Sequence, residues 1–549
     1  MKNKKPSIII TGASGFIGKY ILEYLIKDYQ VFAIARRSRK LSNVPYHKNL
    51  HWLQCDIANK KTLTDVKNYI IENGGADYII HLAAYYDFTY TDNPEYQRTN
   101  IDGTENILNI ATELNVKRFI FAGSLAACNF PEKNKVITEQ APLDADYAYA
   151  WSKRKGEELV KEYSNKFPCS IIRFAAVFSD WCEYAPLYKF LTSWLSNKYY
   201  SRILAGNGES AIPYIHVHDL LLLVKKIISK TDKLLPFDVY NASPDGSTSH
   251  HELFKFATRY FLGESIKPIF LPKLLAYPAL MFRILLMKFR LTSEEYFERL
   301  WMIKYIGLKL NVDSSYTRET LDWEPTPRYH IMRRLLFLLE KMKSHPVEWN
   351  VKNEAALKRV TRRSNLLIYE AMIEEKENLL KQININILLT DSKVSFSRYK
   401  LMDSNEFMCY MSTLYHLLMA VVRSGDRSLM LKYIDDIALK RFAEGFEPKE
   451  ICDTLSVFRD VILKNFISKK SMSEIKQELY DYIGLTIQMA QDEVEDLYDN
   501  LIHKMPKNKF SESSLLPDCN ELQKMIKQLS AFYQIAPEEI GSKKDLITE

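Results

Sequence analysis

Ser7-Ile8-Ile9-Ile10-Thr11-Gly12-Ala13-Ser14-Gly15-Phe16-Ile17-Gly18 decides how the N-terminal half is read. Its apolar triplet stops at Thr11-Gly12, short of the ~7–15 residues of a secretory h-region, so it is expected to be a strand and not a leader. Glycines at 12, 15 and 18 follow that strand and open a helix expected over 17–26. There, bare backbone amides and a helix N-terminus suit a pyrophosphate. A tight turn alone would show the same spacing, but the strand before and the helix after favour the phosphate cradle.

Working outward, short apolar runs alternate with helical-period segments from Ser7 to about Pro244. Strands are expected at 7–11, 31–35, 78–82, 118–122 and 170–174, with helices at 17–26, 62–72, 103–114 and 149–166. This alternation predicts an α/β Rossmann fold, a doubly wound parallel sheet, with a small substrate subdomain mainly over 177–330. One last helix, about 329–343, follows Trp323-Glu324-Pro325-Thr326-Pro327, and the first domain is expected to span 1–345. A polar, basic stretch without a clean apolar face, 346–363, reads as a linker. Beyond it, patterns such as Leu366, Tyr369, Ile373 and Leu380, or Ile434, Ile437, Ala438 and Phe442, predict an all-α domain of five or six helices over 364–505 and a helical tail over 506–549.

At the end of the second expected strand, Ala35-Arg36-Arg37 bears on the cofactor. An acidic residue there accepts from a ribose 2′-hydroxyl, whereas arginine pairs with a 2′-phosphate, so NADP(H) is favoured over NAD(H). Solvated strand-end charges are the plainer alternative. Tyr149 and Lys153 stand four apart in Tyr149-Ala150-Trp151-Ser152-Lys153, on one face of a helix. An adjacent ammonium favours phenolate, which suits Tyr149 to acid/base work at a carbonyl or alcohol. Ser124, just past the strand at 118–122, is placed to hydrogen-bond the same oxygen.

These residues resemble the extended short-chain dehydrogenase/reductase family, the NAD(P)-dependent epimerase/dehydratase group that also includes 3β-hydroxysteroid dehydrogenases. Further resemblance lies in Cys55-Asp56-Ile57, Leu82-Ala83-Ala84, Asn100-Ile101-Asp102-Gly103-Thr104, Tyr214-Ile215-His216-Val217-His218-Asp219 and Leu321-Asp322-Trp323-Glu324-Pro325, covering about 5–342. The resemblance implies catalysis by Ser124, Tyr149 and Lys153. It implies cofactor contacts from Gly12, Ser14, Gly15, Phe16, Ile17, Gly18, Arg36, Arg37, Asp56, Ile57, Leu82, Ala83, Ala84, Asn100 and Lys153. Asp56 would meet the adenine, Ala83 the ribose-phosphate side and Lys153 the nicotinamide ribose. The family's dehydratases carry an Asp-Glu pair after the hydroxyl residue; Leu125-Ala126 stand there instead, which disfavours sugar dehydration.

Other features restrict the reading. A formal charge of +7, from 75 basic and 68 acidic residues, is too slight to imply a nucleic-acid partner. Seven scattered cysteines without metal-ligand spacing fit thiols of a reducing cytoplasm. His216 and His218 lack an evident third ligand, so no metal is expected. The run 273–291 is too interrupted for a comfortable membrane span; buried substrate-domain helices, a hydrophobic lid and an interfacial membrane contact are its three readings. The stretch 433–446, leading into 451–466, weakly resembles the helical sensor domain of stressosome co-antagonists, and a dimerisation module explains it equally. His416 reads as a packed or surface residue and not a haem ligand.

The sequence therefore predicts an NADP(H)-dependent oxidoreductase that interconverts a carbonyl and an alcohol on a small, hydrophobic substrate. The alternatives are a nucleotide-sugar epimerase with tightly held NAD and an NADP(H)-responsive regulator signalling through its helical domain to a second copy or another protein.

Overall fold

The computed structural model describes residues 5–504 except 40–41, 88–91, 133, 199, 290–297, 362–363, 390–395, 470–471 and 473–474. The expected tail over 506–549 lies outside the described residues. Two compact units emerge: one comprises Met1–Ala35, Tyr46–Trp52 and Lys67–Arg362, the other Arg36–Pro45, Leu53–Val66 and Arg363–Glu549.

The first unit is built on the seven-stranded sheet of a Rossmann fold. Its strands are β1 (Ser7–Thr11), β2 (Gln30–Ala35), β3 (Leu50–Gln54), β4 (Tyr78–His81), β5 (Arg118–Ser124), β6 (Cys169–Phe174) and β7 (Phe237–Ala242). They lie in the order β7-β6-β5-β4-β1-β2-β3. Pairings β1–β2, β1–β4, β4–β5, β5–β6 and β6–β7 are all parallel. Strands covered on both faces read as unbroken apolar runs, and Ile8, Ile9, Ile10, Val31, Phe32 and Ala33 are accordingly buried. The helices α1 (Phe16–Leu25), α2 (Lys60–Glu72), α3 (Gly103–Leu114), α4 (Ala148–Tyr163) and α5 (Val217–Ser229) alternate with these strands, close to the spans expected from periodicity.

Two strands, β3 and β7, were not expected. Both are edge strands: all five residues of β3 and the first three of β7 are only partly buried. Edges mix polar with apolar residues, which erases the pattern that marks the central strands.

The described part of the apolar run 273–291 does not form buried helices. Lys273–Lys288 is a single helix, α6, carrying many exposed apolar side chains. The last helix of the expected first domain is α7 (Ile331–Ser344). Within the stretch 346–363, read as a linker, Pro346–Thr361 forms α8. Few apolar positions hid this helix, yet each anchor is strong. Trp349 is buried among Leu187, Leu191, Leu335 and Leu338, and the fully buried Asn353 donates to the carbonyls of Trp181 and Trp349 and accepts from the Glu183 amide.

In the second unit the principal helices are α9 (Ser364–Asn384), α10 (Ser404–Ser424), α11 (Ser428–Ala443), α12 (Pro448–Ser468) and α13 (Leu485–Lys504). Their shared core includes Leu379, Ile383, Phe407, Leu414, Ile434, Leu455, Phe458, Ile462, Ile487 and Val494. Leu366, Tyr369, Leu380, Ile434, Ile437 and Ala438 are buried as their spacing implies, but Ile373 is exposed, because Ile368, Met372 and Leu379 carry the inward face of α9.

Candidate active site

The glycine loop follows β1 directly. Gly12 has a φ of +69°, and a Cβ there would stand 2.8 Å from the Ala83 amide nitrogen. A Cβ on Gly18 would drive into the Gly12 carbonyl oxygen and come within 2.9 Å of the Ala13 Cα. These two positions therefore demand glycine, one for its left-handed backbone and both for close approach. The Gly15 amide donates to the Gly12 carbonyl at 2.9 Å, and Gly15 caps α1 without a side-chain hydrogen bond. The first turn of that helix, from Phe16 and Ile17 to Gly18, leaves donors suited to an anion, with Ser14 half-buried beside it.

Polar residues at the ends of β1 and β4 lock this loop to α4, and sequence reasoning missed them. Thr11 Oγ1 accepts from the Leu82 and Ala83 amides, both at 3.2 Å, and lies 2.8 Å from His81 Nδ1. His81 Nε2 lies 3.0 Å from Thr104 Oγ1, whose hydroxyl donates to the Asn100 carbonyl at 2.6 Å. Since the Thr104 proton is committed, Nε2–H donates to Thr104 and Nδ1 accepts from Thr11. Burial, helped by the Lys153 charge, pushes His81 down to about 3, which keeps this neutral tautomer. Asn100 is buried; its amide donates to the Tyr85 carbonyl and to Ser152 Oγ, and its oxygen accepts from the Tyr85 amide. Ser152 in turn donates to the Tyr149 carbonyl at 2.8 Å. Asn100, expected at the cofactor, thus braces the loop containing Leu82, Ala83 and Ala84 against α4. Two polar strand-end residues interrupting apolar runs were the available signal.

Ser124, Tyr149 and Lys153 come together at the end of β5 and the start of α4. The Ser124 hydroxyl faces the Tyr149 phenol closely enough to favour its ionised form. Tyr86 packs on Tyr149 with ring centroids 4.5 Å apart. Burial pushes the Tyr149 phenol up to about 12, with the Ser124 hydroxyl opposing it in part. Lys153 is 6% exposed, and its ammonium donates to the Ala122 carbonyl at 2.8 Å while standing 5.8 Å from the Tyr149 ring centre. Burial pushes it down to about 8, and the Glu157 carboxylate holds it from falling further. The net shift of Tyr149 is upward, so burial outweighs the lowering expected from Lys153. The ammonium is directed to a backbone carbonyl, and desolvation dominates both groups.

Glu157 is itself buried against Arg173, whose Nη2 lies 2.9 Å from Oε2. Arg173 also donates to the carbonyls of Glu139 and Ala141, so this charge pair is enclosed by hydrogen bonds and fixes α4 on β6.

Arg36, Arg37, Asp56 and Ile57 belong to the second unit. Both arginines are half-buried, Ile57 is buried, and the Gln54 amide donates to the Arg36 carbonyl at 3.0 Å. Asp56, expected at the adenine, is bonded through Oδ2 by Arg423 Nε at 3.2 Å and Nη2 at 3.1 Å, and Arg423 stacks over Tyr369.

His216 and His218 do not share a ligand. His216 Nδ1 accepts from the His218 amide at the start of α5, and Nε2 donates to Asp180 at 3.1 Å. Burial works against ionisation of Asp180, but His216 and a two-pronged Arg334 hold it well below the usual carboxylate range. Among the described residues, no group of three or more histidine, cysteine or acidic side chains is placed to hold a metal.

With this geometry in view, residues 8–243 match the model of the NAD dependent epimerase/dehydratase family. The chain is 26% identical over 272 residues to the dTDP-D-glucose 4,6-dehydratase of Dictyostelium discoideum, covering 45% of this chain and 60% of that protein. It is 31% identical over 168 residues to the 3 beta-hydroxysteroid dehydrogenase/Delta 5-->4-isomerase of Monkeypox virus, covering 28% and 46%. It is 25% identical over 270 residues to a putative UDP-glucose 4-epimerase of Methanocaldococcus jannaschii, covering 47% and 84%. The chain thus spans less than two thirds of the length of the first two of these relatives. Among solved structures, the UDP-glucose 4-epimerase of Thermotoga maritima aligns with a TM-score of 0.48 at 20% identity, over 61% of this chain and 98% of that one. The family match ends at residue 243, so the sensor-domain likeness of the helical region rests on sequence alone.

Proposed function

Starting from a chain whose residues 8–243 match the NAD dependent epimerase/dehydratase family, we propose an oxidoreductase that interconverts a carbonyl and an alcohol on a small, hydrophobic substrate. The observation that carries this reading is the convergence of Tyr149 and Ser124, with the buried Lys153 ammonium one helical turn on. A nicotinamide cofactor, held at the Gly12–Gly18 loop, supplies or takes the hydride when bound. Tyr149 keeps its proton at neutral pH and donates it to the substrate oxygen. Ser124 orients that oxygen, and the Lys153 charge stabilises the phenolate that donation leaves. Arg36 and Arg37 support a preference for NADP(H) through their charge. Among the described residues six cysteines carry thiols outside any disulfide, five of them buried, which supports a reducing, cytoplasmic setting. For the helical region, we assign partner docking or self-association in place of chemistry.

A second reading, a nucleotide-sugar epimerase, is favoured by the relative from Methanocaldococcus jannaschii, most of whose length aligns with this chain. Mass spectrometry of the nucleotide carried by the purified protein separates the two: retained NAD indicates the epimerase, exchangeable NADP(H) the reductase. Tyr149→Phe should abolish turnover of either kind and leave cofactor affinity within about threefold, because the glycine loop is the main anchor. Full turnover in that variant removes the proposed chemistry.

A further inference from the structure

Helix α6 is turned inside out. At 3.6 residues per turn, Ile284, Tyr277, Met281, Leu274, Leu285, Pro278, Phe282 and Leu275 fall on one arc of about 180°. All eight are exposed, Leu274 at 90% and Phe282 at 62%. The opposite arc holds Ala276, Ala279, Leu280 and Arg283, none of them exposed. Arg283 is the one charged residue between Leu274 and Met287, and it points inward, over the Tyr200 ring and 3.7 Å from Glu298. A surface helix normally keeps its charges outside and its apolar stripe inside. Here the charge is inside and the apolar side chains face out.

On the short strand Ile269–Leu271, which precedes α6 in the chain, Ile269 and Phe270 are exposed as well. Soluble surfaces rarely expose contiguous apolar patches larger than a few hundred Å² unless something binds there. Charge identifies the occupant. Between Glu264 and Glu294 the sequence has Lys267, Lys273, Lys288 and Arg290 besides the inward Arg283, and no acidic residue. Bases interleaved with large apolar side chains suit anionic headgroups above an acyl boundary. None of the helices among the described residues is long and apolar enough to cross a membrane.

We propose that α6 and Ile269–Leu271 form an interfacial anchor that seats the protein on an anionic lipid membrane, its outward arc in the acyl boundary and the flanking lysines among the headgroups. The inference is independent of the reaction. Flotation of the full chain with phosphatidylcholine vesicles, with and without phosphatidylglycerol, tests it. Binding should require phosphatidylglycerol and fall with salt. Leu274→Glu with Phe282→Glu should abolish it, and Lys267→Ala and Lys273→Ala should each weaken it about fivefold. These side chains are exposed, so circular dichroism and cofactor binding should be unchanged. Should the double glutamate variant misfold, Leu274→Ser with Phe282→Ser serves instead. Absence of binding to either vesicle overturns the proposal, as does equal binding to both. A concentration-dependent dimer in light scattering that the double variant disperses also overturns it, assigning the face to a second copy.

Discussion

Replacing Lys153 with arginine separates the charge of this side chain from its proton. Burial lowers the wild-type ammonium to about 8, against the pull of Glu157. One pH step above that value leaves about a tenth of the molecules charged. If the charge stabilises the Tyr149 phenolate, the rate of carbonyl reduction should be level below about pH 7 and fall about tenfold by pH 9. Tyr149, held up near 12, keeps its proton throughout this window, so the alkaline limb belongs to lysine. Arginine stays charged up to about pH 12, so in Lys153→Arg the limb should flatten. Its plateau should be lower, because a planar guanidinium does not reproduce the 2.8 Å bond from Nζ to the Ala122 carbonyl.

Stability should move the opposite way. The folded lysine titrates at about 8, below the ordinary value of 10.5, so its burial is most costly below pH 8 and that cost is relieved as pH rises toward 10.5. Activity falling while this contribution to stability improves would distinguish titration of Lys153 from alkaline unfolding. Initial rates of NADPH or NADH oxidation, followed at several pH values with keto-sugar nucleotides and keto-steroids, supply the profile. A wild-type profile level through about pH 10, or the same limb retained in Lys153→Arg, refutes the reasoning.

Gly18→Ala forces a Cβ against the Gly12 carbonyl and the Ala13 Cα, an overpacking cost of about 1–3 kcal/mol that should weaken cofactor binding tenfold or more in a fluorescence titration; unchanged affinity would mean the loop relaxes freely. Arg173→Met leaves the Glu157 carboxylate buried without its partner and should cost about 3–5 kcal/mol, seen as a lower urea midpoint. Trp349→Ala should cost about 3–5 kcal/mol by emptying a core site. For the same reason a chain stopped after Lys343 should unfold at lower urea than one stopped after Arg362, and equal midpoints would place α8 outside that core.

The central strands and the glycine loop were legible in the sequence because their physics is local. A strand covered on both faces must be apolar throughout, and a sharp turn against a neighbouring strand admits only glycine. The pairing of Tyr149 with Lys153 needed only helical periodicity. The edge strands β3 and β7 were not legible, since half-covered strands carry no unbroken apolar run. Nor was α8, which depends on one tryptophan and one asparagine whose partners lie elsewhere in the chain. The strand-end relay through Thr11, His81 and Thr104 also needed the fold, because hydrogen-bond roles are assigned by which groups meet.

Charge was decided almost wholly by tertiary structure. The sequence supplies Lys153 beside Tyr149, but burial sets both their proton affinities and directs the ammonium to a carbonyl. It supplies Asp56 in a strand-end motif, yet Arg423, 367 residues away, holds that carboxylate. The apolar run at 273–291 was equally visible, but periodicity alone does not say which side of a helix meets the protein. Sequence determines which residues repeat at helical or strand spacing. Which surfaces are withdrawn from water, and therefore what each charge costs, is decided by residues distant in the chain.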